Sequence, residues 1–153
     1  MATVYTTEGA ASYPVFQPMG QGQCGVAASC YTIASALSKN DIVTFFRLPP
    51  CSVLWGWFIA TDIDTGTEAM EVDIGTSSDT DQLLDSGVLT GDVVTDVFGA
   101  HAALGQPNYR VLNGLQAGPV AYTSETTIIG TVVAAAAGGG TGYAYLGLFY
   151  KCA

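Results

Sequence analysis

The sequence holds one histidine, His101, in the run Phe98-Gly-Ala-His-Ala-Ala-Leu104. A serine or cysteine nucleophile needs such a base beside it, and an acid to orient the base. No Gly-x-Ser-x-Gly elbow or comparable frame accompanies His101. A lone histidine in a connecting segment is usually structural or exposed. Glu8, Glu68, Glu71 and Glu125 offer carboxylates for a glycosidase pair, but nothing in their order singles out two. Gly138-Gly-Gly140 lacks the lysine and helix of a phosphate-cradling loop. Asp62-x-Asp64-x-Gly66 resembles the start of a calcium loop. Its glycine comes one place early, and Asp side chains bonding their own backbone in a turn explain it equally well. Cys24, Cys30, Cys51 and Cys152 match no zinc spacing. They read as free, buried thiols of a reducing compartment, with a Cys24–Cys30 or Cys51–Cys152 bridge left open. The expectation is no catalytic residue, no cofactor and no metal.

Binding chemistry is the better prospect. Trp55 and Trp57 fall two apart, on one face of an extended run. They could stack on a sugar. Their neighbours Leu54, Phe58 and Ile59 are also apolar, which suits a core or a subunit interface better.

These residues need strands to position them. Three runs, Asp41–Leu48, Val53–Thr61 and Thr67–Gly75, are rich in β-branched and aromatic residues and bounded by Pro, Gly and Asp. The third alternates: Met70, Val72 and Ile74 against Ala69, Glu71 and Asp73. The middle run does not. Val53, Trp55, Trp57 and Ile59 would form one face, and Leu54, Phe58 and Ala60 the other. A strand apolar on both faces needs cover on both, and in so small a protein the second cover can be another chain.

Residues 1–23 differ from the rest. Two prolines and two glycines over Tyr13–Gln23 predict an extended segment poor in ladder hydrogen bonds. Val15, Phe16 and Met19 would be wasted on a free tail, so this reads as an arm lying in a neighbour's groove. Gly25–Leu37 reads as a strand. Gln82–Ser86 looks like one helical turn, with Asp79 or Thr80 as its N-cap. Gly91–Phe98 suits a short helix or a strand, and 99–118 is irregular. Val120–Thr123 is a short strand. Two long strands, Thr126–Ala137 and Gly142–Lys151, are joined as a hairpin through Gly138–Thr141. Gly130 and Gly147 inside them suggest bulges or close backbone approach. The expected fold is mainly β: one antiparallel β-sandwich or jelly-roll domain over 24–153, with an extended N-terminal arm over 1–23.

Composition narrows the function classes. The length of 153 residues suggests one domain with a real core. Hydrophobic residues make up 49% and charged residues 11%, against roughly 25% charged in ordinary soluble domains. A chain so poor in charge points to a large permanent interface. The net charge is -9, with four Lys and Arg against 13 Asp and Glu. Counterion displacement from nucleic acid needs a cationic surface, so nucleic acid is excluded as a partner. No apolar run is long enough for a membrane helix, and the N-terminus lacks the basic-then-apolar pattern of a secretory signal.

The order of parts resembles a known class. A strand ending Arg47-Leu-Pro is followed by Cys51-Ser-Val-Leu-Trp-Gly-Trp57. Then come Glu71-Val-Asp-Ile-Gly-Thr76, Asp79-Thr-Asp81, Ser124-Glu-Thr-Thr-Ile-Ile129 and a last strand ending Phe149-Tyr150. Over residues 40–150 this resembles the head decoration, or cement, proteins of tailed bacteriophages. The resemblance implies a structural virion protein, made in the host bacterial cytoplasm and carried on the capsid surface. It would form a homo-oligomer, typically a trimer, that clamps adjacent major capsid proteins. Pro14, Val15, Phe16, Pro18 and Met19 are the expected capsid contacts of the arm. Trp55, Trp57 and Phe58 are the expected subunit interface. The alternative is a carbohydrate- or receptor-binding module of a fibre or tail, which would expose its aromatics. A hydrolase with an unrecognised site is the remaining reading.

Overall fold

The structure is a computed structural model that describes residues 2–6, 8–10, 24–33, 37–61, 70–89, 109–111, 118–134 and 142–152. Regular structure among them is all strand: β1 (Thr3–Tyr5), β2 (Cys24–Ile33), β3 (Ile42–Leu48), β4 (Cys51–Thr61) and β5 (Met70–Gly75), then β6 (Leu84–Leu89), β7 (Tyr109–Val111), β8 (Val120–Tyr122), β9 (Thr126–Ala134) and β10 (Gly142–Cys152). One sheet has the order β1-β3-β9-β5-β6. The other runs β2-β10-β4-β7, with β8 also paired to β4. Only β1 on β3 is parallel among the described pairings; the rest are antiparallel. The expected mainly β, antiparallel sandwich is what forms.

The core lies between the sheets. The first sheet contributes Val43, Phe45, Phe46, Leu48, Val72, Ile74, Ile128 and Val132, all buried. Facing them are Val53, Phe58, Ala144, Leu146, Leu148 and Tyr150. Phe45 and Phe58 meet edge-to-face, with ring centroids 6.2 Å apart, and tie one sheet to the other. Each such side chain contributes roughly 1.5–3 kcal/mol by leaving water.

Two bulges decide which side chains face where. In β3, Thr44 opposes Ile129 and Phe46 opposes Ile128, so Phe45 is an extra residue. A bulge puts two consecutive side chains on one side, and Phe45 and Phe46 are both buried. In β4, Val53 opposes Tyr150 and Trp55 opposes Phe149, which leaves Leu54 extra. The strand's parity flips there. Val53 and Phe58 share the core side, while Leu54 and Trp55 are both exposed. Strict alternation from the sequence put Val53 with Trp55 and Trp57; the bulge separates them. β5 has no such surprise on its core side, with Val72 and Ile74 buried between half-buried Glu71 and Asp73.

Two local expectations fail. No helical turn forms at Gln82–Ser86. Leu83 donates its N–H to the Ile74 carbonyl at 2.8 Å, and Leu83 and Leu84 are both buried. Their backbone is satisfied by β5, and β6 starts at once. The preceding loop closes on itself instead, with Thr76 N–H donating to the Asp79 carbonyl at 2.8 Å. Nor do β9 and β10 form a hairpin, since they lie in different sheets. β10 is apolar on both sides and is paired along its length by β2 and β4.

The chain's opening is tied to the body. Ala2 N–H donates to Asp41 Oδ1 at 2.6 Å, and β1 runs along β3. Thr6 is buried, donates its hydroxyl to the Phe45 carbonyl and its N–H to the Thr44 carbonyl. Carbonyls freed by the β3 bulge are thereby satisfied. The rest of the expected arm, including Pro14, Val15, Phe16, Pro18 and Met19, lies outside the described residues. So do Asp62, Asp64, His101 and the Gly91–Phe98 segment.

Candidate functional site

The outer faces of the two sheets differ in chemistry. On the first sheet the outward positions include Glu71, Asp73 and Thr127. Such a face suits water. On the second sheet, the three long strands align their outward residues in rows. Val26 opposes Phe149, which opposes Trp55. Ala28, Gly147 and Trp57 make the next row, and Cys30 opposes Tyr145 in the one after. Thr32 opposes Tyr143 in the last. No carboxylate occurs in these rows, and one cation, Lys151, stands beside Cys24 and Ser52 in the row beyond Phe149.

Strand chemistry explains the arrangement. Aromatic pairs directly across antiparallel strands attract one another. The Trp55 and Phe149 rings are 5.1 Å apart and tilted by 40°. Tyr143 and Tyr145 are 6.2 Å apart. Trp57 lies over Gly147: a Cβ there would sit 2.4 Å from the indole carbons. Only glycine lets the ring rest on the β10 backbone, so the close approach expected of Gly147 is met. Gly130 behaves alike on the core side, where a Cβ would come within 3.0 Å of Phe45.

Much of this face remains in water. Val26 is 52% exposed, Tyr143 41%, Leu54 39% and Trp55 37%. Trp57 is half-buried. Of the three expected interface residues, the fold brings Trp55 and Trp57 together outside. Phe58 it sends to the core, at 1% exposure, because its parity is opposite to theirs. Sequence reasoning missed Phe149, Tyr143, Tyr145 and Val26 as members of the same surface. For the three aromatics of β10, alternation with buried Ala144, Leu146 and Leu148 was the available signal.

A second, polar site lies near one end of the sandwich. A cleft of about 410 Å³ is lined by hydroxyl residues, Gln82 and Glu125. Tyr122 donates its hydroxyl to Gln82 Oε1 at 2.9 Å, and burial pushes its phenol above the ordinary value. Glu125 is held by Arg47 at 3.0 Å. Nearby, Asp79 is raised above the ordinary carboxylate range, chiefly by its hydrogen bond with Asp81. Among the described residues no three His, Cys, Asp or Glu gather as metal ligands.

No protein-family model matches the chain, and no curated protein does. Solved structures with the same fold exist. One is a chain of the capsid asymmetric unit of cyanophage Pam1, with a TM-score of 0.63 and 15% identity over 94% of this chain and 96% of that one. Another comes from the capsid of Ralstonia phage GP4, with a TM-score of 0.65 and 17% identity over 99% of each chain. At these identities the likeness is one of fold. It runs from end to end in both molecules, so the matched chains are about as long as this one.

Proposed function

We propose that this chain is a structural virion protein, a decoration or cement protein on the outside of a phage head. It would stabilise the shell by bridging major capsid proteins. The observation that carries the reading is the aromatic face of the second sheet, which presents no carboxylate among its described residues. Two chains of charge -9 repel one another wherever carboxylates meet. The rows through Val26, Phe149, Trp55 and Trp57 are a surface on which copies approach without that cost. Trp55 and Trp57 bury the contact between subunits of a homotrimer, with Phe58 supporting them from beneath. The fold shared with chains of two phage capsids supports the setting.

The arm supplies a second contact. Pro14, Val15, Phe16, Pro18 and Met19 seat in a groove of the shell, and a trimer presents three such arms at once. Linked weak contacts then hold firmly. The test uses heads lacking this protein, to which purified protein is added back. Wild type is expected to saturate the heads and to raise their resistance to heating. Trp55→Ser is expected to shift light scattering from trimer toward monomer and to lower occupancy at least tenfold. Gly and Ser in place of the five arm residues should lower occupancy while leaving the trimer intact. Full occupancy in both variants would overturn the proposal.

A glycan- or receptor-binding module is the second reading, favoured by the exposure of Trp55 and Tyr143. It expects indole fluorescence to change on titration with oligosaccharides, and no binding to heads.

A further inference from the structure

The residue pairing of β4 with β10 ends on two cysteines. Cys51, the first residue of β4, stands directly opposite Cys152, the last of β10. Directly opposed residues of antiparallel strands have Cα atoms about 4.5–5.5 Å apart. The window for a disulfide is about 4.4–6.8 Å. Both side chains point to the same, core side and are buried, at 2% and 5% exposure. Both are free thiols in the structure. Cys24 and Cys30 lack this arrangement, since they oppose Lys151 and Tyr145.

We propose that Cys51 and Cys152 are a latent cross-strand disulfide, closed by exchange with a small-molecule disulfide, which staples the C-terminal strand to β4. One protein thiolate attacks the small disulfide, forms a mixed disulfide and releases a small thiol. The second protein thiolate attacks the protein sulfur and releases the other. Two protein thiols lose two protons and two electrons, and the small disulfide is reduced to two thiols. The bridge encloses a loop of about 100 residues, and a cross-link restricts the unfolded chain more the longer the loop it closes.

Closure is slow by construction. Burial, with Cys152 alongside, pushes the Cys51 thiol up to about 11, so the reactive thiolate is rare at neutral pH. Thiol buffers of a reducing cell keep the pair open. A particle released from the cell meets oxidising surroundings, and the staple then locks the subunit. That consequence rests on the virion role; the cross-link does not, and it is tested on the purified protein alone.

The experiment incubates the full chain with oxidised glutathione from pH 7 to 9, blocks remaining thiols after unfolding, and maps peptides without reduction. The expected product is 2 Da lighter, linked Cys51 to Cys152, and forms faster by about tenfold per pH unit. Its Tm is raised by roughly 5–15 °C. A Cys24→Ser/Cys30→Ser variant should bridge equally well. Four blockable thiols at every pH, lasting glutathione adducts, or bridges to Cys24 or Cys30 would each overturn the proposal.

Discussion

At the residue scale, two positions make testable demands. Gly147 exists to seat Trp57. In Gly147→Val the indole must leave the β10 backbone, at about 1–3 kcal/mol. A lower Tm and a red-shifted tryptophan emission are expected. Unchanged emission would mean that the ring does not rest there. Asp41 clips the start of the chain to the β2–β3 turn through the backbone N–H groups of Ala2 and Ser38. These bonds hold its carboxyl below the ordinary aspartate value, outweighing burial. A depressed pKa in the folded state gives stability that is present above the unfolded value of about 3.9 and is lost as pH falls below it. The Tm gap between wild type and Asp41→Asn should therefore be widest above pH 5 and shrink toward pH 3. Asp79, raised by Asp81, works in the opposite sense, so the gap between the two proteins is the quantity to follow. A gap independent of pH would remove Asp41's charge from the explanation.

At the element scale, β1 is the part whose removal says most. It covers the edge of β3, the strand that carries Phe45 and Phe46, and Thr6 satisfies the bulge carbonyls. Deleting residues 2–10 should cost about 1–3 kcal/mol in lost backbone bonds and promote association through the bared edge. An unchanged denaturant midpoint would show that β1 is ornamental. The strands themselves were legible: Val72 and Ile74 alternate with Glu71 and Asp73, and the Pro and Gly bounds fall close to the observed ends of β3, β4 and β10. What was not legible depends on partners far away in sequence. A bulge at Leu54 is set by register against β10 (no pattern within β4 announces it), and so alternation placed Val53 with Trp55 and Trp57, and Leu54 with Phe58. Gln82-Leu-Leu suits a helical turn as well as a strand until β5 offers hydrogen bonds. Gly138–Thr141 carries ordinary hairpin chemistry, but turn residues do not specify which sheet the next strand joins.

At the scale of the whole molecule, the contrast between the two outer faces organises everything else. One carries carboxylates; the other is aromatic, with Lys151 at its end and no carboxylate among its described residues. The purified protein is expected to scatter as a particle of about 47 kDa, three chains of 15.8 kDa. Raising the salt concentration should strengthen this assembly, since copies of charge -9 repel less when screened. Weakening by salt would point to ion pairs as the glue. For the proposed virion role, the most direct measurement is a cryo-EM reconstruction of heads assembled with and without this chain. Extra density outside the shell is expected only with the chain, fitting the sandwich with Trp55, Trp57 and Phe149 against a sister copy. Identical heads, or density with that face turned to open solvent, would contradict it.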